Sequence, residues 1–113
     1  MSEFLLIYRG EPGPHKADLA SETTQRWIAW IKGLGEKGHL VDRGLPLEAG
    51  GKVVSSGGSV VTDGPYAETK DLIAGFSLIS ADSLDKAAEL TAGCPIFDVG
   101  GLVEVRQVIK LGA

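Results

Sequence analysis

The chain of 113 residues, 43% of them hydrophobic and 23% charged, has the composition of one globular domain. Its formal net charge is −4, and its eleven Lys and Arg residues form no basic run. Both features argue against a nucleic-acid-binding surface, which needs clustered positive charge.

The sequence also indicates the cellular compartment and the kinds of interaction that can stabilise the fold. Cys94 is the only cysteine, so no internal disulfide can form and stability must come from packing or association. The first apolar run, residues 4–8, is too short for a signal-peptide core, and no run approaches the roughly 20 residues that a bilayer span needs. We therefore expect a soluble, cytoplasmic protein without membrane association.

The first third of the chain predicts a strand, a loop and a helix. Residues 4–8 are apolar at every position, which is typical of a central strand. A loop rich in Gly and Pro is expected over residues 9–16. A helix should begin near Ser21, capped by Ser21 or Thr23, and end at Gly35 and Gly38. Its apolar stripe comprises Trp27, Trp30, Ile31 and Leu34.

The middle of the chain predicts strands and turns. A second strand starts at residues 39–42 and continues unevenly toward Leu47. Residues 52–54 and 59–62 flank a short Ser-Gly segment and predict a hairpin. The Asp63-Gly64-Pro65 sequence should leave regular structure and open a polar loop, because Gly is unconstrained and Pro lacks an N–H. Residues 76–79 then return to a buried strand.

The last third predicts a helix and a strand. Asp82 or Ser83 should cap the helix, and Gly93-Cys94-Pro95 should stop it. Its inner stripe is expected to contain Leu84, Ala87, Ala88 and Thr91. Residues 96–101 are expected to form a connecting loop, and residues 102–109 the last strand. Alternation in that strand places Val103 and Val105 on one face and Glu104 and Arg106 on the other.

Two helices beside one mainly antiparallel sheet predict an α+β fold, a ferredoxin-like two-layer sandwich forming a single domain. Both helices should cover the same face of the sheet. The other face would carry apolar side chains together with Glu104 and Arg106, and such a face is rarely left in water. We therefore expect a homodimer in which two sheets face each other.

The octapeptide DGPYAETK at residues 63–70, followed by Gly75-Phe76, resembles the DGPF signature of the YCII-related (DGPF-domain) family. Tyr66 stands where Phe is usual. Further similarity lies in residues 4–8, residues 81–85 and residues 103–106, so the resemblance covers nearly the whole chain.

This resemblance implies a dimeric α/β barrel of ferredoxin-like subunits and leaves the chemistry open. Some relatives have a proposed His-Asp pair in a cleft, and a dehydrochlorinase acting on a chlorinated hydroquinone is similar. The paired histidines of those relatives are absent after the first helix here. Other members occur beside or fused to alternative sigma factors, which implies a regulatory role as an alternative.

Asp63 is the candidate catalytic residue, as a general acid or base at the predicted turn; the alternative is a turn in which its carboxylate accepts backbone N–H groups. Glu104 and Arg106 share a strand face and either form an ion pair at the dimer interface or hold a substrate, with Arg106 gripping an anionic or phenolate oxygen. Tyr66 and Lys70 are further candidate substrate-binding residues at the pocket mouth, although a lysine at such a position is more often simply solvated.

Other reactive side chains have structural interpretations. His39 and Asp42 should point to opposite faces of a strand, His15 should face solvent, and no spacing predicts a metal site. Cys94, at a helix end, is expected to be a buried inert thiol. The G-x-G-x-x-G pattern at residues 33–38 follows a helix, so it predicts helix termination rather than dinucleotide binding, and we expect no cofactor. Trp27 and Trp30 should pack in the core.

Two functions remain open. The first is a small-molecule enzyme or former enzyme in which Asp63 moves a proton and Glu104 and Arg106 place a small aromatic or enol-like substrate, a class that rests on family analogy. The second is a non-catalytic ligand sensor or protein-interaction module linked to transcription.

Overall fold

The computed structural model describes residues 1–10, 21–64 and 72–111. Within them lie six strands, two α-helices and two short 3-10 helices. The strands are β1 (Ser2–Gly10), β2 (Leu40–Asp42), β3 (Gly51–Ser55), β4 (Val60–Gly64), β5 (Leu72–Ala81) and β6 (Leu102–Gln107). The α-helices are α1 (Glu22–Glu36) and α2 (Leu84–Glu89), and the 3-10 helices are Ser56–Gly58 and Pro95–Val99.

Four strands form one antiparallel sheet in the order β2-β5-β1-β6. Strand β1 is central, as its continuous apolar sequence predicts, because it pairs with β5 along one edge and with β6 along the other. After β2 the chain continues beside β5, with the Leu47 N–H donating to the Ala74 carbonyl at 2.8 Å and an isolated bridge from Pro46 to Gly75. The uneven continuation toward Leu47 is thus confirmed.

Both helices lie on one face of this sheet. Phe4, Leu6 and Tyr8 alternate inward along β1 and meet Leu34 of α1 and Ala87 of α2 in a single buried cluster. Partly buried side chains packed against this cluster are Trp27, Trp30, Ile31, Leu40, Leu90, Val103 and Val105. The ferredoxin-like α+β sandwich and the core position of the two tryptophans are confirmed.

The helix ends follow their capping residues. The Ser21 hydroxyl accepts from the Thr24 N–H at 3.1 Å, and the Ser83 hydroxyl accepts from the Lys86 N–H at 3.1 Å. Gly38 follows α1 with φ +80°, where glycine is favoured. Gly35, expected to end the helix, is instead inside it.

Helix α2 is shorter than predicted and its buried side is different. Thr91 lies beyond the helix, and Leu84 and Ala88 are exposed, so only Ala87 of the predicted stripe faces the core from within the helix. The expected connecting loop also proves wrong, because Pro95–Val99 forms a 3-10 helix that buries Ile96. Strand β6 ends at Gln107, and Ile109 is 80% exposed.

The predicted hairpin is present as a second, two-stranded sheet, β3–β4. It differs from the prediction at its end, because Asp63 and Gly64 belong to β4 rather than to a turn. Arg9 and Gly10 likewise belong to β1, whereas a loop is expected from Arg9, and the rest of that predicted loop lies outside the described residues. Pro65, Tyr66, Lys70 and His15 lie outside the described residues.

Candidate functional site

The sheet face opposite the helices is set by the register of β1 with its two neighbours. Three cross-strand rows of side chains share this open face. These rows are Leu78, Leu5 and Arg106; Phe76, Ile7 and Glu104; and Ile73, Arg9 and Leu102. Of the nine residues on these rows, five are aliphatic and a sixth is Phe76, so the three charged side chains lie on an apolar surface.

Three of these side chains form a charged cluster. The Arg9 guanidinium donates to Glu104 Oε1 at 2.8 Å, and the Arg106 guanidinium donates to Glu104 Oε2 at 3.1 Å. The hydrogen bonds from Arg106 and Arg9 lower the pKa of Glu104, so it is a carboxylate at neutral pH. Among the described residues, two guanidinium groups thus share one carboxylate.

The sequence predicts Glu104 and Arg106 as neighbours, and the structure places them in contact. Arg9 was missed, since it falls where a loop was expected. The signal for Arg9 is the alternation along β1. Because Phe4, Leu6 and Tyr8 point toward the helices, Arg9 lies on the opposite face, together with Glu104.

Asp63 lies away from this cluster, on the β3–β4 ribbon. Its side chain is 88% exposed and forms an ion pair with Lys52, its cross-strand partner. An exposed pair of this kind contributes at most about 1 kcal/mol to stability. Within one chain, the described residues do not bring Asp63 together with Glu104 and Arg106.

His39 and Asp42 bond to different backbone groups. His39 Nδ1 lies 3.1 Å from the Ser80 carbonyl oxygen, and since a carbonyl only accepts, Nδ1 carries the proton. Asp42 Oδ1 accepts from the Gly44 N–H at 2.8 Å, which forms a local turn. These contacts give each side chain a structural role.

A buried hydrogen-bonded chain crosses the helix side of the sheet. The Tyr8 hydroxyl donates to Ser77 Oγ at 2.7 Å, and the Ser77 hydroxyl donates to the Arg43 carbonyl at 2.7 Å. Trp27 packs edge-on against Tyr8 with ring centroids 4.8 Å apart. Burial raises the pKa of Tyr8 well above its ordinary range, so the phenol stays neutral. Both hydroxyls therefore donate to a hydrogen-bond acceptor, and these two bonds hold β5 against β1.

Cys94 is buried beside this chain and is unpaired in the structure. Burial raises the pKa of its thiol to about 11, which keeps it protonated and unreactive at neutral pH. The structure therefore agrees with the expectation of an inert core cysteine.

Two shallow depressions are lined by described residues. One, about 250 Å³, lies between α1 and α2, and the other, about 410 Å³, lies where β1 begins and β6 ends. Neither contains Asp63 or the charged cluster.

Two further findings concern the described part of the chain. Over residues 1–10, 21–64 and 72–111, no three His, Cys, Asp or Glu side chains are grouped as a metal site would require. In the same ranges, neither α-helix has the length and apolar character needed to cross a bilayer.

The sheet order and the placement of both helices on one face define the class as α+β, ferredoxin-like. A family model described as the YCII-related domain matches residues 3–111, so the chain belongs to the YCII-related family. The chain is also 51% identical over 35 residues to an uncharacterised protein of Rhizobium meliloti. That match covers 31% of this chain and 28% of the relative.

Proposed function

We propose that the protein binds a small organic anion, an aromatic carboxylate or a phenolate, between the facing sheets of a homodimer. The observation that carries this proposal is the Arg9–Glu104–Arg106 cluster, which places two guanidinium groups on an apolar sheet face. Arg106 is the ligand-facing member, because its side chain is 69% exposed while it contacts Glu104 through one nitrogen. Its remaining N–H donors suit a bidentate carboxylate.

The homodimer follows from the cost of leaving this face uncovered. The rows that contain Leu5, Ile7, Phe76 and Leu78 lie opposite both helices, so no described helix covers them. A second copy would bury the apolar rows and leave the charged cluster inside a cavity. Reduced contact with water would strengthen the attraction between the cluster and an anion.

The aromatic part of the ligand is inferred from the neighbours of the cluster. Ile7 and Phe76 lie in the same row as Glu104, and Leu5 lies in the same row as Arg106. An aromatic ring bound by its carboxylate at Arg106 would rest on these side chains. A purely polar anion such as sulfate would not use them.

Proton transfer by Asp63 is the catalytic form of this proposal. It requires Asp63 to approach the cluster, which the geometry of one chain does not provide. A sensor or interaction module linked to transcription, the alternative that the family resemblance implies, would use the same ligand site without turnover. Asp63→Asn distinguishes the enzyme from the sensor. In an enzyme, this substitution would abolish turnover of the substrate and leave substrate binding intact.

The binding test compares benzoate with the neutral benzyl alcohol. Benzoate should raise the unfolding midpoint of the wild type, because a ligand that binds the native state stabilises it. Arg106→Gln should remove that shift. Arg26→Gln is the matched control, since Arg26 is about half exposed and pairs with Asp98 away from the open face. Equal shifts for benzoate and benzyl alcohol, or an unchanged shift in Arg106→Gln, would contradict the proposed site.

A further inference from the structure

The ribbon formed by β3, β4 and the Ser56–Gly58 turn between them stands apart from the sandwich. Its strands pair with each other in a separate sheet. In the part of the chain that the structure describes, the ribbon makes no extended packing contact with the helices or the four-stranded sheet. An isolated two-stranded hairpin is marginally stable in water, so this ribbon needs a covering surface.

Each face of the ribbon carries two exposed valines. The register pairs Val54 with Val61 on one face, where they are 59% and 58% exposed. Val53 and Val60 project from the other face and are 43% and 42% exposed. Exposed β-branched residues on both faces are unusual for a hairpin that remains in solvent, where at least one face is normally polar.

The dimensions of the chain agree with a projecting element. Its radius of gyration is 15.5 Å, whereas a compact domain of this length is expected at about 13 Å. The shortest principal extent is 20 Å, the thickness of one helix layer and one sheet layer at about 10 Å each. These dimensions agree with two packed layers and an element that projects from them.

We propose that the β3–β4 ribbon is an intersubunit arm, whose Val54–Val61 face packs on the open sheet face of a second copy, at the row that contains Ile73 and Leu102. This inference rests on the proposed homodimer and extends it. Ile73 and Leu102 are 48% and 47% exposed, whereas the Leu5 and Ile7 side chains of the other rows are partly buried. The apolar side chains in the row of Ile73 and Leu102 are thus more exposed than Leu5 and Ile7 in the other two rows.

Each of the two surfaces also carries one basic and one acidic side chain. Lys52 and Asp63 project from the same ribbon face as Val54 and Val61, because they are two residues away along the same strands. Arg9 lies between Ile73 and Leu102, and Glu104 occupies the adjacent row. Docking valines on the apolar row therefore brings a Lys–Asp pair to an Arg–Glu pair.

The arm would complete the ligand site of the partner. Asp63 is remote from the cluster of its own chain, whereas in the second copy it would lie beside Arg9 and Glu104. The acid–base candidate and the anion-binding cluster would then belong to different protomers. A two-fold axis would produce two such composite sites, one for each arm.

A mixed disulfide tests this contact directly. In a Cys94→Ala background, a tagged Val61→Cys protein is mixed with an untagged Leu102→Cys protein under mild oxidation. Docking predicts a disulfide-linked tagged–untagged dimer, since the two Cα atoms would come within the roughly 4.4–6.8 Å that a disulfide spans. Val99→Cys, on the Pro95–Val99 helix and 68% exposed, replaces Leu102→Cys in the control. At least tenfold more cross-linked product than in the control is expected, and equal amounts would overturn the arm contact.

Sedimentation equilibrium provides the second measurement and separates the two proposals. Val54→Asp should raise the dimer dissociation constant at least tenfold, and Val99→Asp should leave it unchanged. A wild-type dimer that is insensitive to Val54→Asp and forms no mixed disulfide would overturn the arm and leave the proposed homodimer standing. A wild-type monomer at micromolar concentration would overturn both.

Discussion

Strand β1 and the β3–β4 ribbon both contain strand-forming apolar residues, but those of β1 that face the helices are buried and those of the ribbon are exposed. Phe4 and Leu6 of β1 are 1% and 0% exposed, because β1 lies between two other strands and beneath two helices. Val54 and Val61 of the ribbon are more than half exposed, because β3 and β4 pair with each other and, among the described residues, with no other strand. Strand formation therefore follows from residue type, whereas burial depends on the layers that the tertiary fold supplies.

The largest loss of stability is expected from shortening a side chain in the sandwich core. Leu6→Ala should reduce the free energy of unfolding by about 2–5 kcal/mol, because it removes a fully buried side chain and leaves a cavity. Val61→Ala, measured by urea unfolding in solution too dilute for dimers, should change it by no more than about 0.5 kcal/mol. Similar losses at both sites in dilute solution would show that the ribbon is buried within a single chain.

Two glycines at positive φ provide the next test. Gly44 beside β5 has φ +70° and Gly57 in the ribbon turn has φ +68°. A Cβ at Gly44 would collide with the Phe76 carbonyl oxygen, whereas a Cβ at Gly57 would meet open space. Gly57→Ala should cost about 1–2 kcal/mol from backbone strain alone, and Gly44→Ala should cost more. Equal midpoints in thermal unfolding would contradict the close approach at Gly44.

The buried hydroxyl pair should give an intermediate effect. Ser77→Ala leaves the Tyr8 hydroxyl buried without its acceptor, which should cost about 1–3 kcal/mol. Tyr8→Phe removes that hydroxyl and should cost about 1 kcal/mol. In the double variant the loss should be smaller than the sum of the single losses, because no orphaned hydroxyl remains. Additive losses in chemical denaturation would indicate that the two hydroxyls act independently.

The smallest expected effect concerns acid stability. The guanidiniums of Arg106 and Arg9 hold the pKa of Glu104 below its usual range. Because the folded state binds the proton less tightly than the unfolded state, this contribution is present above the ordinary Glu pKa of about 4.3 and is lost as pH falls through the lower, folded-state pKa. Glu104→Gln should therefore flatten the acid side of the pH–stability curve.

Glu89→Gln is the control for that measurement, since Glu89 forms an exposed pair with Lys86 on α2, away from the open face. Unfolding midpoints between pH 5 and pH 2 should show a weaker dependence on pH in the Glu104 variant than in the Glu89 variant. Parallel curves would mean that the Arg9–Glu104–Arg106 contacts contribute nothing to folding.

Most of the elements could be predicted because their signals are local. The caps at Ser21 and Ser83, the central strand and the hairpin each depend on a few neighbouring residues. The errors fall where distant contacts decide the outcome. Pro95–Val99 forms a 3-10 helix with Ile96 buried, and α2 turns Leu84 outward, because the space beneath each segment is set by other parts of the chain.

The candidate site was predictable in part for the same reason. Alternation along one strand places Glu104 and Arg106 side by side. Arg9 is 95 residues distant from Glu104 in the chain, and only the pairing of β1 with β6 brings them together. For Asp63 the local signal is misleading. The Gly and Pro that follow it predict a turn, whereas cross-strand pairing with Lys52 keeps Asp63 in β4.

The amino-acid sequence alone determined the α+β class, the helix starts and the existence of a ribbon, because capping, periodicity and turn chemistry act over a few residues. Only the tertiary structure decided that both helices leave one sheet face open and that two arginines meet one carboxylate there. It also decided that the valine ribbon projects from the sandwich. These features depend on which strands pair and in which register, and that choice is made by contacts between residues far apart in the chain.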